Sequence, residues 1–324
     1  MGKGRLSNPT EMKKGIRASL SALCFAVVFA AAAAQAEGVK FDLELSTGYR
    51  VDQFDWSIAG PILGRNVNVL SELTWEDLEI FQVKAAARVT VHEAFYLRGS
   101  LAGGQIFDGT NVDSDFRGPN RTSEFSRSVN VTADGQIWDA TAGVGYILAL
   151  SEKLRLIPLI GYSYNRQELT LSNGVQTVSL PPSAQPVGPF PGLDSVYDAE
   201  WWGPWIGVDA FYGVSDRIRL SFSFEYHWAD YEAVADWNLR TDLLRSRSFE
   251  HDAEGQGFVA SLGAEYLLTG PWSLLLNLSY QQMSTDPGID RVFFADGTLV
   301  VTPLNEVNWK SFAIFAGVTY RFGW

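Results

Sequence analysis

Side chains able to do acid–base, metal or nucleophilic chemistry are few and scattered in this chain. His92, His227 and His251 are its only imidazoles, and imidazole is the side chain that titrates nearest neutral pH. Asp230, Glu232 and Asp236 crowd together and would attract Ca²⁺, yet they lack the glycine and the bidentate glutamate of a known calcium loop. Taken as residues alone, Asp113, Asp115 and Asp236 read as loop carboxylates that cap turns. No His-Glu-x-x-His, Gly-x-Ser-x-Gly or phosphate-binding glycine loop occurs, and residues 37–324 hold no cysteine to join a Cys/His cluster. That spectrum argues against zinc, nucleotide and serine-hydrolase chemistry, and no metal or cofactor is expected.

The elements that must position these residues are strands. Val318, Tyr320, Phe322 and Trp324 end the chain at strict period two, the pattern of a strand with one apolar face. Trp324 as the last residue resembles the assembly signal of outer-membrane barrels, which makes the barrel-assembly machinery an expected partner. Residues 1–36 read as an export signal. Lys13, Lys14 and Arg17 precede an apolar run over 20–34, and Ala34-Gln35-Ala36 is a small-x-small cleavage site. Cys24, the only cysteine, lies inside that run behind Leu23, where a lipid-anchored signal would need a small residue. The signal carries Lys3, Arg5, Lys13, Lys14 and Arg17 against Glu11, so its removal takes the net charge from −12 to −16 and makes nucleic acid an unsuitable partner.

Residues 37–324 contain no apolar stretch long enough to cross a bilayer as a helix, yet they carry all 11 tryptophans. Crossing without helices requires a closed barrel, because an open sheet leaves backbone groups unpaired in hydrocarbon. Alternation marks ten segments: 41–58, 70–89, 94–106, 135–150, 154–172, 200–212, 218–234, 255–268, 272–283 and 307–324. Tight turns at 92–93, 151–153, 214–216 and 270–271 alternate with long polar loops over 60–68, 107–134, 173–199, 235–254 and 284–306. The third of these, with Pro181, Pro182, Pro186, Pro189 and Pro191, is expected to be irregular. The expected fold class is therefore all-β, a ten-stranded antiparallel transmembrane β-barrel in an up-and-down meander behind an N-terminal signal peptide. Residues 37–324 form its one domain, in the outer membrane of a Gram-negative bacterium, with long loops extracellular and both termini periplasmic.

Parity separates the two faces of each strand. Phe222, Phe224 and Tyr226, like Val318, Tyr320 and Phe322, are expected to face lipid. The opposite set includes Asp42, Glu44, Arg50, Arg88, Arg98, Asp139, Asp209, Arg219, Glu225, Glu265 and Arg321, a mixed-sign lumen that should pair with itself. Trp201, Trp202, Trp205, Trp228 and Trp272 are expected in interfacial girdles.

Leu70-Ser71-Glu72-Leu73-Thr74-Trp75, the strand ending Gly99-Ser100-Leu101-Ala102-Gly103-Gly104, and Val112-Asp113-Ser114-Asp115-Phe116 together resemble the omptins, ten-stranded outer-membrane aspartyl-type proteases. The resemblance implies a site above the membrane where Asp113 and Asp115 face an Asp-x-His dyad from the fourth loop. There a carboxylate-oriented imidazole takes a proton from water that the facing carboxyls hold. It carries the dyad aspartate onto Asp236 and the histidine onto Asn238. An amide is no base near neutral pH, and loss of a base costs about 10² to 10⁴ in rate. His251 is the one histidine placed to substitute. Asp52 falls at one acidic position of the family's substrate pocket, while the other becomes Val234. The family's need for lipopolysaccharide makes Arg117, Arg121, Arg127, Arg245 and Arg247 candidates for its phosphates; balancing rim charge is the other reading of these arginines.

Three functions fit this sequence. The leading one is an omptin-like barrel with lost or altered peptidase activity and a surface structural or binding role, contacting outer-membrane lipid, lipopolysaccharide and an extracellular peptide or protein. The second is an endopeptidase with a displaced base, and the third a small porin-like channel.

Overall fold

In a computed structural model that describes residues 38–183 and 185–322, the chain is built of antiparallel strands. In chain order they are β1 (Val39–Ile62), β2 (Arg65–Val91), β3 (Phe95–Gly118), β4 (Thr122–Thr132), β5 (Gln136–Tyr146), β6 (Leu148–Ala149), β7 (Leu154–Ser179), β8 (Gly188–Pro189), β9 (Ser195–Gly213), β10 (Ile218–Asp236), β11 (Phe249–Leu267), β12 (Trp272–Thr285), β13 (Gly288–Phe293) and β14 (Leu299–Phe322). β4 and β5 act as one wall strand between β3 and β7, and β12 and β13 as one between β11 and β14. Ten crossings result, and β1 closes the ring on β14 from Phe41↔Phe322 onward. Closure leaves no edge, which a bilayer demands. The export signal and Trp324 lie outside the described residues.

Outer side chains show where lipid sits. Along β10 the outward set runs Ile218, Leu220, Phe222, Phe224, Tyr226, Trp228, then changes to Asp230 and Glu232. The ten steps from Ile218 to Trp228, at about 3.3 Å each and tilted about 40°, span roughly 25 Å, the height of an outer-membrane apolar band. Phe222, Phe224 and Val318 are exposed on this outer face, and Tyr226, Tyr320 and Phe322 are half-exposed. Leu274, Leu276, Leu278 and Tyr280 continue the band on β12.

At the level of the band the lumen is polar and ion-paired. Arg88 and Arg321 both reach Glu265, Arg88 at 2.5 Å. Arg98 meets Glu225 at 2.6 Å and Asp209 at 3.5 Å. Arg50 meets Asp52 at 2.5 Å and Asp139 at 2.7 Å. Beyond the band the arrangement inverts. Ala229, Tyr231, Ala233 and Ala235 continue the inward set of β10, and Phe54, Trp56, Trp75, Tyr197, Trp201, Phe249 and Trp309 fill the interior with them. Water surrounds this half of the barrel, so its apolar side chains turn inward as in any soluble core.

Two expectations are corrected. The segments expected as long loops over 60–68 and 107–134 are hairpins that lengthen the barrel. β1 and β2 join through Leu63 and Gly64, both at positive φ, and β3 runs to Gly118. Strands of 24 to 27 residues far exceed the 9 to 11 that a bilayer needs, so the barrel projects beyond it. Trp201 and Trp205 are not in a girdle but are buried inside, because odd residues of β9 face inward. Trp205 lies across Gly143 and Gly161, where an added Cβ would sit 2.5 and 2.2 Å from its ring. Trp228 and Trp272 do face out, each 46% exposed.

Candidate functional site

Asp113 and Asp115 lie two residues apart on β3, beyond the apolar band. Register sets Asp113 beside Leu73 and Ser128, and Asp115 beside Ser71 and Ser126. Leu73 is in the core, and paired residues share a face, so the acid pair points inward. Burial pushes both carboxyls above the usual range, Asp113 well above it, and the Asp115 charge raises Asp113 further. The Arg240 guanidinium opposes both shifts, and it comes from the chain between β10 and β11. The Ser71 and Ser126 hydroxyls favour the Asp115 carboxylate. Arg240 itself is held by Asp242 through two hydrogen bonds at 2.8 Å, so only its charge bears on the acid pair, and it is a residue that the spacing of motifs gave no reason to single out.

Asp236 and Asn238 are engaged elsewhere. β10 keeps one register against β9 from Arg219↔Gly213 to Asp236↔Val196, so no bulge turns its end inward. Asp236 stays on the outer parity and accepts two hydrogen bonds from Arg245, at 2.9 and 3.1 Å, which hold its carboxyl below the usual range. Asn238 ties its own segment to the chain before β9. Its Oδ1 accepts from the Asp194 amide at 3.0 Å and the Ser195 hydroxyl at 3.1 Å, and its Nδ2 donates to the Gly192 carbonyl at 2.6 Å. Among the described residues no hydrogen bond or ion pair joins Asp113 or Asp115 to Asp236 or Asn238.

His251 points inward but is 1% exposed. Its Nδ1 lies 2.8 Å from the Tyr197 hydroxyl, which lies 2.5 Å from that of Tyr231. Its Nε2 is 3.5 Å from Asp290, whose other oxygen accepts from Thr302 at 2.7 Å. The ring packs edge-on to Trp56 at 4.7 Å and against Phe249 at 5.2 Å. Burial drives both phenols upward, so they stay neutral and act as hydrogen-bonding hydroxyls. The sequence reading missed Tyr197 and Asp290 because it started the sixth strand at Glu200 and placed 284–306 in a loop. The alternation of Tyr197, Ala199 and Trp201 with Asp198 and Glu200 was the available signal. His227 lies in the lumen between Glu225 at 2.9 Å and Ser163 at 3.0 Å, and His92 occupies a tight turn at the opposite end.

Asp52 is fully buried, with both oxygens taken by Arg50, Gln167 and Trp309. The rim arginines are engaged too: Arg121 with Glu72, Arg127 with Glu124, Arg245 with Asp236, Arg247 with Glu250, and Arg117 with the Pro181 carbonyl. Among the described residues no group of three or more His, Cys, Asp or Glu is placed to hold a metal ion.

The geometry can be set beside known proteins. The model of a family described as Pom, Protochlamydia outer membrane protein, matches residues 44–322. No curated protein matches the chain. Among solved structures, the outer membrane protease OmpT from Escherichia coli superposes with a TM-score of 0.72 at 16% identity, covering 89% of this chain and all of that one. The outer membrane protein OprG from Pseudomonas aeruginosa gives 0.37 at 9% identity over 87% of this chain and 95% of its own. The translocator domain of the autotransporter NalP from Neisseria meningitidis gives 0.37 at 10% identity over 96% and 98%. The OmpT likeness is one of fold.

Proposed function

From the premise that this chain belongs to the Protochlamydia outer membrane protein family and is an omptin-like outer-membrane β-barrel, we propose that it is a surface structural or binding protein without omptin peptidase chemistry. The observation that carries this reading is the dispersal of the four positions the omptin site would need. Asp236 is bound by Arg245 on the outer parity of an unbulged strand, Asn238 is committed to residues 192–195, and Asp113 and Asp115 point inward from β3 beside Ser71, Ser126 and Ser128. His251, the one candidate substitute base, is sealed under Trp56 and Phe249. A general base must come within hydrogen-bond reach of its proton, directly or through one water, and a fully buried imidazole bonded to Tyr197 does not meet that condition.

The long connections face the cell exterior in this proposal, with lipid around the band and a peptide or protein ligand at the exposed rim. Lipopolysaccharide contacts fall to that rim as well, though its arginines already have partners. The mixed-sign ion pairs and the aromatic core above them argue for a lumen without a general diffusion path.

The test is cleavage of peptides with basic residues by the purified barrel in lipid. Background turnover is expected from the wild type and from Asn238→His, because a histidine there still stands beside an outward Asp236. Turnover by the wild type that disappears in His251→Ala would overturn the reading in favour of a displaced-base enzyme. Large steady ohmic steps in planar bilayers would overturn it in favour of a channel.

A further inference from the structure

The turn end of the lumen has cations in excess. A cavity of about 70 Å³ opens there, walled by Lys40, Asp42, Arg88, Tyr96, Arg155 and Arg219 among others. It shares Arg88, Tyr96 and Phe211 with a larger polar chamber of about 220 Å³ at the level of the apolar band. Toward the loop end this chamber meets the Arg50–Asp52–Asp139 layer and then the aromatic core. The lumen is thus a blind vestibule approached from the turn side.

Carboxylates at this level are already shared. Glu265 serves Arg88 at 2.5 Å, Arg219 at 3.6 Å and Arg321. Asp42 lies 3.7 Å from Arg88 and 3.9 Å from Arg321. Lys40 pairs with Glu93 at 2.9 Å. Arg155 forms no ion pair with any described carboxylate. It is held over the Phe211 ring at 5.8 Å, and Arg88 lies over the same ring at 5.7 Å. Register fixes this, since Arg155 pairs directly with Phe211 across β7 and β9. The charges of Arg88, Arg155 and Arg321 all bear on Arg219. An aromatic ring orients guanidinium groups without neutralising them, which leaves their N–H forks for a planar or tetrahedral oxyanion.

We infer that this mouth is a binding site for a small oxyanion, a phosphate or carboxylate group, gripped by Arg155 and Arg219 at the entrance of the blind lumen. The site does not depend on the proposed loss of peptidase activity, because it lies at the opposite end of the barrel from Asp113 and Asp236. Arg155, with no carboxylate partner among the described residues, and Arg219, 3.6 Å from a Glu265 that it shares with two other arginines, make charge-assisted, bidentate contacts to such a group, and the low-dielectric wall strengthens them. Phe211 and Tyr96 limit the space, so a compact anion fits better than a bulky one.

Calorimetric titration of the full-length mature barrel in neutral, phosphate-free detergent tests the inference, with inorganic phosphate and acetate as probes. Saturable one-to-one binding is expected, weakened about tenfold or more by Arg155→Gln and by Arg219→Gln and unaffected by Arg247→Gln at the far rim. Arg155→Lys keeps the charge and loses the fork, so it should bind with intermediate affinity and controls for folding. A second arm, phosphatidylglycerol in the detergent without free phosphate, distinguishes a lipid headgroup from a soluble anion as the natural source. Absence of saturable binding to every probe, or equal affinity in Arg155→Gln and wild type, would overturn it.

Discussion

Replacement of Asp52 by alanine separates two roles that this residue could have. Its carboxylate receives Arg50 through two hydrogen bonds at 2.5 and 2.7 Å, Gln167 at 3.0 Å and the Trp309 indole at 3.0 Å, with no exposed surface. Alanine leaves Arg50 with Asp139 alone and strands two neutral donors. Breaking a buried ion pair from one side costs about 3 to 5 kcal/mol. Each orphaned donor costs about 1 to 3 kcal/mol when nothing relaxes. These penalties overlap, since Arg50 keeps Asp139 at 2.7 Å and water from the chamber below can enter; a loss of about 4 kcal/mol is expected. Asp52→Asn retains acceptors and loses the charge, so it should lose about half as much. Arg50→Met with Asp52→Leu removes both charges and should recover most of the Asp52→Ala loss. Reversible urea unfolding in lipid vesicles, followed by tryptophan fluorescence, measures all three. A loss under about 1 kcal/mol for Asp52→Ala, or a change in peptide binding without a change in stability, would refute the structural assignment and return Asp52 to a substrate pocket.

Three further variants test the inversion of the barrel. Burial and Asp115 raise the Asp113 carboxyl in the folded chain, so the stabilisation from its protonation is complete below the unfolded value near 4 and lost as pH rises through the folded value. Asp113→Asn should therefore stabilise the barrel by on the order of 1 kcal/mol at pH 7, with the difference shrinking toward zero at pH 3 in melts at several pH values; a constant difference would count against the assignment. Phe222→Arg places a charge at the middle of the Ile218–Trp228 outer run and should cost about 2 to 4 kcal/mol in the same urea assay. The same replacement at Val234, outward but past the acidic change of β10, should cost less than 1 kcal/mol, roughly; equal costs would show that the band is placed wrongly.

The barrel was legible in the sequence because its cause is local. Side chains alternate along every strand, so lipid on one face and a polar lumen on the other write a period-two pattern that Ile218 to Trp228 and Val318 to Phe322 display without reference to any distant residue. The same rule predicted that Arg98, Glu225 and Glu265 point inward. Where the solvent outside changes from lipid to water the pattern keeps its period and reverses its polarity. This reversal, with Tyr197 and Trp201 inside and Asp198 and Glu200 outside, was read in part as loop and girdle.

Tertiary structure alone decided which inward side chains meet. Arg98 reaches Glu225 across 127 positions and Arg88 reaches Glu265 across 177, contacts set by barrel closure and not by spacing along a strand. The candidate site turned on the same distinction. Spacing set Asp113 beside Asp115, but the unbulged register of β10 kept Asp236 outward, and the fold of residues 237–248 put Arg240 on Asp242 and Arg245 on Asp236. A ladder register is a local property that propagates residue by residue. The partner across a lumen depends on the curvature of the whole ring, and so only the folded barrel determines it.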